Sequence, residues 1–211
     1  MRDTVGSFLR EVVGLWIPPV CSACGAEGPS PCRVCLDRLL PADAFTAPVG
    51  LDGAAALLRY DDASRPFVGA LKFGGRRSVA SEFARPMATL VDEVLLGPVA
   101  PVLTWAPTTA VRRRRRGFDQ AEVLARAVGR VARAPVRRSL EREGRGQQTG
   151  RHRGARLSGV RFVATGPAPP VVIVCDDVLT TGATLAAAAV ALRRAGAREV
   201  HGLVLARTPL W

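Results

Sequence analysis

Apolar residues run without polar alternation from Val171 to Cys175. Such a run predicts a strand covered on both faces, as in a parallel sheet between layers of helices. Asp176 and Asp177 follow where that strand is expected to end, and beyond Thr180-Thr181-Gly182-Ala183-Thr184 an alanine-rich stretch from Leu185 to Gly196 predicts a helix. Elsewhere the period alternates between helix and strand. Val5, Phe8, Leu9, Val12, Val13 and Trp16 recur at helical spacing, with Asp3 or Thr4 as N-cap and Pro18-Pro19 as stop; this short amphipathic helix is expected to pack against the body of the protein. Asp52 to Asp62 reads as a strand, Arg65 to Phe73 and Ser78 to Leu96 as helices separated by Gly74-Gly75. The second of these helices puts Val79, Phe83, Met87, Leu90, Val91 and Val94 on one face.

Within Pro98 to Pro107, the run Val99 to Trp105 is the expected first core strand of the larger domain. A helix opens at Gly117-Phe118-Asp119-Gln120 and is marked by Ala121, Leu124, Ala125, Val128 and Val131. Val136 to Leu140 and Val160 to Thr165 read as further strands, Gly166 to Pro170 as a turn, and Val200 to Ala206 as the final strand. Glu141 to Ser158 holds almost nothing apolar and cannot pack into a core; it is expected to be either a mobile active-site loop or a passive solvated one. Strands alternating with helices predict an α/β fold, a parallel sheet flanked by helices.

Composition adds scale and a compartment. A chain of 211 residues with 48% hydrophobic content accommodates one full α/β domain plus a small appendage. No apolar run approaches the roughly twenty residues of a membrane span, and residues 1–16 carry Asp3, Arg10 and Glu11 inside their apolar pattern, unlike a signal peptide. The expected location is cytoplasmic. The net charge of +12 comes almost entirely from arginine, whose planar fork favours bidentate contact with phosphates. An anionic partner is therefore expected.

Four of the five cysteines form two knuckles, Cys21-Ser22-Ala23-Cys24 and Cys32-Arg33-Val34-Cys35. Each Cys-x-x-Cys turn brings two thiolates to one metal, and four sulfurs complete the closed tetrahedral shell of a structural zinc. Disulfides are disfavoured in a cytoplasmic chain, and a redox Cys-x-x-Cys has no use for a second pair. The expected division is an N-terminal helix and four-cysteine zinc module over residues 1–40 and a larger α/β domain over residues 41–211. Cys175, inside the buried strand, is expected to be a core residue.

The segment after that strand joins two chemistries. Ligands of open α/β sheets sit beyond the carboxyl ends of the strands, where Asp176 and Asp177 can accept hydrogen bonds from vicinal hydroxyls. Thr180, Thr181, Gly182, Ala183 and Thr184 offer hydroxyls and unpaired N–H groups at a helix start, where an anion is favoured. Together they describe a ribose 5-phosphate site, and the segment from Val171 to Leu185 resembles the phosphoribosyl pyrophosphate (PRPP) signature of type I phosphoribosyltransferases. A nucleotide-triphosphatase would need a glycine loop ending in Gly-Lys-Ser or Gly-Lys-Thr. The single lysine, Lys72 in Ala70-Leu71-Lys72-Phe73-Gly74, cannot supply one; beside flexible glycines it is instead a candidate for reaching a ligand. Arg112 to Arg116 concentrate positive charge at a strand-to-helix crossing on the same edge, where pyrophosphate would be held.

Nearly end to end, the chain resembles the ComF family of competence-associated, phosphoribosyltransferase-like proteins. The resemblance rests on the cysteine knuckles, Leu71-Lys72-Phe73, Arg116-Gly117-Phe118-Asp119-Gln120-Ala121 preceded by Arg112 and Arg114, and the acid–threonine signature. It implies a type I phosphoribosyltransferase-like fold with structural Zn2+ at Cys21, Cys24, Cys32 and Cys35. It also implies PRPP and Mg2+ at Asp176, Asp177, Thr180, Thr181, Gly182, Ala183, Thr184, Arg112, Arg114 and Lys72, with Asp176, Asp177 and Arg116 nearest the chemistry. Asp119 stands where the family usually has Asn, and the stretch after Gln148 matches the usual Gln-x-Gly-Leu and Arg-x-x-Asn pattern poorly.

Two functions fit this resemblance. One is a phosphoribosyltransferase in which a nitrogen nucleophile displaces pyrophosphate from the ribose C1 atom. The other is a protein of DNA uptake whose arginines and zinc module contact single-stranded DNA or DNA-uptake proteins. The low aromatic content of 5% argues against a base-stacking platform.

Overall fold

The computed structural model describes residues 19–73, 77–94, 99–143 and 159–209. The expected N-terminal helix, residues 144–158 of the expected loop and the end of the helix expected to reach Leu96 lie outside them. Four parallel strands form the central sheet: β1 (Gly53–Arg59), β2 (Val102–Trp105), β5 (Val171–Leu179) and β6 (Glu199–Arg207), in the order β1-β6-β5-β2. A second, antiparallel pair consists of β3 (Leu140–Arg142) and β4 (Phe162–Ala164). Helices α2 (Arg65–Phe73) and α3 (Arg77–Val94) connect β1 to β2, α4 (Ala110–Arg116) and α5 (Gln120–Ala132) follow β2, and α6 (Ala183–Arg194) crosses from β5 to β6.

The alternation of side chains along a strand divides the core in two. From β5 and β6, Ile173, Cys175, Leu203 and Leu205 pack with Phe83, Met87 and Val91 of α3 and Leu124 and Val128 of α5. Val172, Val174 and Val204 point the other way, onto Leu185, Ala188 and Leu192 of α6. Because both faces are covered, β5 begins with five buried residues in succession, which is the pattern the sequence shows from Val171 to Cys175. Gly129 allows α5 to end against the next segment, since a Cβ there would run into the Val136 side chain.

Three elements differ from the sequence-based expectation. Val136 makes a single parallel bridge to Leu103, and the chain then leaves the sheet, so that the expected strand over 136–140 becomes β3 of the small pair. Leu140 and Phe162 pull that pair onto the α6 side of the core, while the Ser139 N–H donates to Thr104 Oγ1 at 3.2 Å. The arginine run is helical: Thr109 caps α4 by accepting from the Arg112 N–H at 3.2 Å, and Gly117, at φ 79°, closes it. Lastly, β5 continues through Asp176 and Asp177 to Leu179, with Asp176 opposite Val204 and Val178 opposite Ala206. The acids sit inside a hydrogen-bonded strand instead of beyond it.

The four-cysteine segment is built from turns and the four-residue helix α1 (Arg33–Leu36). It leans on the sheet domain, because Cys21 and Cys35 belong to the core cluster that contains Leu58 and Phe67. The connection at Pro41 runs antiparallel to β1, bridging Leu58, with the Arg59 N–H donating to Leu40 O at 2.9 Å.

Candidate functional site

Because successive strand residues face opposite ways, β5 delivers its two carboxylates to different neighbours. Asp176 shares a small cavity of about 20 Å³ with Thr180, Gly182, Ala183 and Thr184, room for one water molecule. Asp177 is 7% exposed and its Oδ2 lies 2.9 Å from Nζ of Lys72, near the end of α2. Oδ2 thus has an ionic partner and no hydrogen bond among the described residues. Each carboxylate is braced by its own backbone: Asp176 Oδ1 accepts from the Asp177 N–H at 2.8 Å, and Asp177 Oδ1 from the Val178 N–H at 2.9 Å.

Gly182 begins α6 in the left-handed region at φ 78°, and a Cβ there would stand 2.8 Å from the Pro48 ring. Only glycine takes that conformation and that contact without strain. Gly182 has no side chain to cap α6; the Ala183 N–H donates to Thr181 Oγ1 at 3.4 Å, and the N–H groups that follow remain available to an anion. Thr180 and Thr181 are exposed beside them.

Helix α4 distributes its arginines around its axis. Arg112 and Arg116, four residues apart, share a face. The charge of Arg112 is felt at Arg142 of β3, a residue that sequence reasoning missed. Arg142 packs its guanidinium 5.7 Å from the Phe162 ring centroid and points Nη1 at Pro107 O, 3.5 Å away. Burial and the neighbouring Arg112 push Arg142 down from its ordinary value, against the pull of Asp176 and Asp119. Arg142 thus stands in the field of Asp176 and Asp119. Its only sequence signal is the alternation Leu140-Glu141-Arg142, which places Leu140 and Arg142 on one face and Glu141 on the other, in a stretch too short to read alone. Arg116 donates to Gln120 Oε1 at 2.8 Å. Arg114, expected with the acids, instead lines a separate groove together with Arg113.

Burial, and then the adjacent Asp177, pushes Asp176 well above the usual carboxylate range. Asp119 is also raised by burial, although N–H groups of Thr108, Ala121 and Glu122 oppose the shift. Its Oδ1 caps α5 by accepting from the Ala121 N–H at 3.1 Å, while Oδ2 accepts from the Thr108 N–H at 2.8 Å, and so ties α5 to the loop after β2. Cys175 is pushed to about 12 by burial and by Asp176. It is a core thiol, as its place in the strand implied.

In the N-terminal segment the sulfurs of Cys21, Cys24, Cys32 and Cys35 all lie within 4.8 Å of one another, and the Cys24 and Cys32 sulfurs are 3.6 Å apart. Four sulfurs on a tetrahedral zinc, each roughly 2.3 Å from it, stand about 3.8 Å apart. The cluster fits a structural Zn2+. Burial raises the Cys21 thiol, but N–H groups of Cys32, Cys24 and Ala23 outweigh it and bring the value down to about 6. Cys35 is pushed up to about 12 by burial and by the other three cysteines. Four thiols so close cannot share negative charge without a cation, which is the condition a metal relieves.

Among the described residues no helix is long and apolar enough to cross a membrane. No family model matches the chain. A curated relative, the DNA utilization protein YhgH of Salmonella typhi, is 30% identical over 210 residues, covering 90% of this chain and 84% of the relative. Among solved structures, one described as the allosteric regulatory enzyme of purine biosynthesis is 19% identical with a TM-score of 0.42, over 65% of this chain and 30% of its own length. On the strength of the curated relative, and with the knuckles, Lys72, the Arg116–Gln120 contact and the acid–threonine loop all present in one structure, the chain belongs to the ComF family.

Proposed function

We propose that the crevice over the carboxyl end of β5 binds PRPP with Mg2+ and handles or transfers its phosphoribosyl group. The observation that carries this reading is the meeting of Asp176 with the Thr180–Thr184 loop in one cavity at the start of α6. In this reading Asp176 and Asp177 accept the vicinal ribose hydroxyls, and the opening N–H groups of α6, with the Thr180, Thr181 and Thr184 hydroxyls, hold the 5-phosphate. Lys72, Arg112 and Arg142 form the cationic wall for pyrophosphate, with Arg116 held on the Arg112 face by Gln120. An oxygen-rich strand end suits Mg2+, which is usually held by one or two carboxylates and the substrate's own phosphates; when bound it would counter charge on the departing pyrophosphate. Preorganised cations of this kind act by stabilising developing charge, and no covalent nucleophile is required of the protein.

Calorimetric titration of PRPP with Mg2+ tests the assignment. Asp176→Asn/Asp177→Asn keeps shape and removes charge, and is expected to weaken binding at least about tenfold, a loss of about 1.4 kcal/mol. Equal affinity in wild type and variant would remove the carboxylates from the site.

A second reading, nucleic-acid handling, is favoured by the name of the relative, a DNA utilization protein, and by the net charge of +12. Phosphate contacts dominate such binding and need only a basic surface.

A further inference from the structure

Arg207, the last residue of β6, carries a charge without a counterion. It is 7% exposed, and its guanidinium carbon lies 4.6 Å from the centroid of the Phe45 ring. Among the described residues no carboxylate pairs with it and no acceptor takes its N–H groups. Arg59 stands opposite it in register on β1 and has its own acid, Asp43, which accepts from Arg59 Nη2 at 2.8 Å. Two guanidiniums thus end adjacent strands with one carboxylate for the pair. A cation taken this far from water is costly unless an anion joins it. The ring beside Arg207 is fixed in place. Phe45 lies on a segment tied to β1 by the Ala42 N–H donating to Leu57 O at 3.2 Å, and to β6 by the Asp52 N–H donating to Val200 O at 2.9 Å. Phe45 itself packs against the core cluster that contains Leu179 and Leu185.

This pair borders the strand-end crevice. Arg207 is opposite Leu179 in register, one strand spacing of about 4.8 Å, and Leu179 lines the cavity shared by Asp176 and the threonine loop. Pro48, three residues beyond Phe45, lies against Gly182 of the same cavity. We propose that Arg207 and Phe45 form the subsite for the acceptor of the phosphoribosyl group, and that this acceptor is a planar aromatic acid. The inference rests on the PRPP reading given above. The sheet order β1-β6-β5-β2 puts the arginines that follow β2 on one side of β5 and Arg207 on the other. Displacement at C1 needs the attacking and departing groups in line on opposite sides of that atom. Pyrophosphate on the Arg112 flank therefore calls for an acceptor on the β6 flank. There a carboxylate matches the planar fork of Arg207, and Phe45 gives the acid's ring an aromatic neighbour. In the transfer, the acid's ring or amino nitrogen forms the N–C1 bond with its lone pair. The C1–O bond to pyrophosphate breaks, pyrophosphate leaves with that electron pair, and a proton carried by the nitrogen passes to solvent. A neutral ring leaves the guanidinium unpaired and binds poorly.

The test uses the full chain and a set of planar acids, nicotinate, quinolinate, anthranilate and orotate, with nicotinamide as the neutral match to nicotinate. Binding is measured by saturation-transfer NMR and calorimetry, with and without PRPP and Mg2+. At least one acid is expected to bind at least about tenfold more tightly than nicotinamide, and Arg207→Gln to remove that preference. Should the Gln variant fail to fold, Arg207→Lys still decides. It keeps the charge and loses the bidentate fork, so it should weaken the acid while leaving PRPP affinity unchanged. Phosphorus NMR follows pyrophosphate when PRPP, Mg2+ and the bound acid are mixed, and its release is expected in wild type and lost in Arg207→Gln or Arg207→Lys. No preference for any acid, an equal preference in the Arg207 variants, or acids bound with no pyrophosphate released would overturn the acceptor assignment. Asp176→Asn/Asp177→Asn should lose PRPP and still bind the acid. Acid binding by a wild type that does not bind PRPP would remove the PRPP reading and the acceptor role with it, whereas PRPP binding with no acid preference would remove this subsite alone.

Discussion

Two clusters of acidic groups hold the chemistry of this molecule, and they are built in opposite ways. The four thiols of Cys21 to Cys35 come from fifteen consecutive positions, on turns and one four-residue helix, with only Cys21 and Cys35 buried against the domain. The carboxylates of Asp176 and Asp177 ride on a nine-residue strand between two covered layers, and the cation facing Asp177, Lys72, arrives from more than a hundred residues away. One cluster fits a metal that would hold its turns together. The other is imposed by a scaffold that stands whether or not a ligand comes. Local order in a small segment must be supplied by a bond-like interaction, while a buried sheet has apolar area to spend on holding like charges together.

Removing the metal should have the largest effect. Elemental analysis is expected to find one zinc per chain, and a strong chelator to expose four titratable thiols, with about 10–16 kcal/mol of apparent binding energy lost to the segment. In hydrogen exchange, protection should vanish for the amides of 20–36 and persist in β5 and β6. If the strands lose protection as well, the contrast drawn above is wrong and the two parts fold as one.

The scaffold itself is tested by Ile173→Ala, which removes a fully buried side chain from the face packed against α3 and α5. A loss of about 2–5 kcal/mol in denaturant unfolding is expected, with zinc content unchanged. Smaller is the effect of Asp119→Asn, the residue usual in the family at this position. Asp119 accepts with both oxygens, and an amide in its place must present a donor to one of the two N–H groups, at a cost of about 1–3 kcal/mol. A variant as stable as wild type would mean the Thr108 contact contributes nothing.

The smallest effect concerns pH. Burial and Asp177 raise the Asp176 value in the folded chain, so the folded protein keeps that proton to higher pH than the unfolded chain does. The associated stability is complete below about pH 4, the ordinary carboxylate value, and is lost as pH climbs through the raised one. Asp176→Asn removes the dependence. Melting curves should show its advantage over wild type growing from about pH 4 upward; a constant difference would mean that Asp176 ionises without penalty.

By itself the sequence determined whatever depends on neighbours along the chain. The apolar run of β5, the amphipathic faces of α3 and α5, the paired Cys-x-x-Cys turns and the acid–threonine loop at the start of α6 are all local patterns with a fixed period or spacing. Tertiary structure decided what local pattern does not carry. Arg112 to Arg116 have no hydrophobic period, so neither their helix nor the division of Arg112 from Arg113 and Arg114 was legible, although Thr109 and Gly117 stood as its caps. The placement of Arg142 required β3 and β4 to pair across residues 143–161. The turning of Asp177 towards Lys72 and of Asp176 towards the threonine loop required the strand to continue past its apolar run. Charged side chains take their positions from whatever long-range packing leaves beside them, and that information lies in contacts between distant segments instead of in the order of residues.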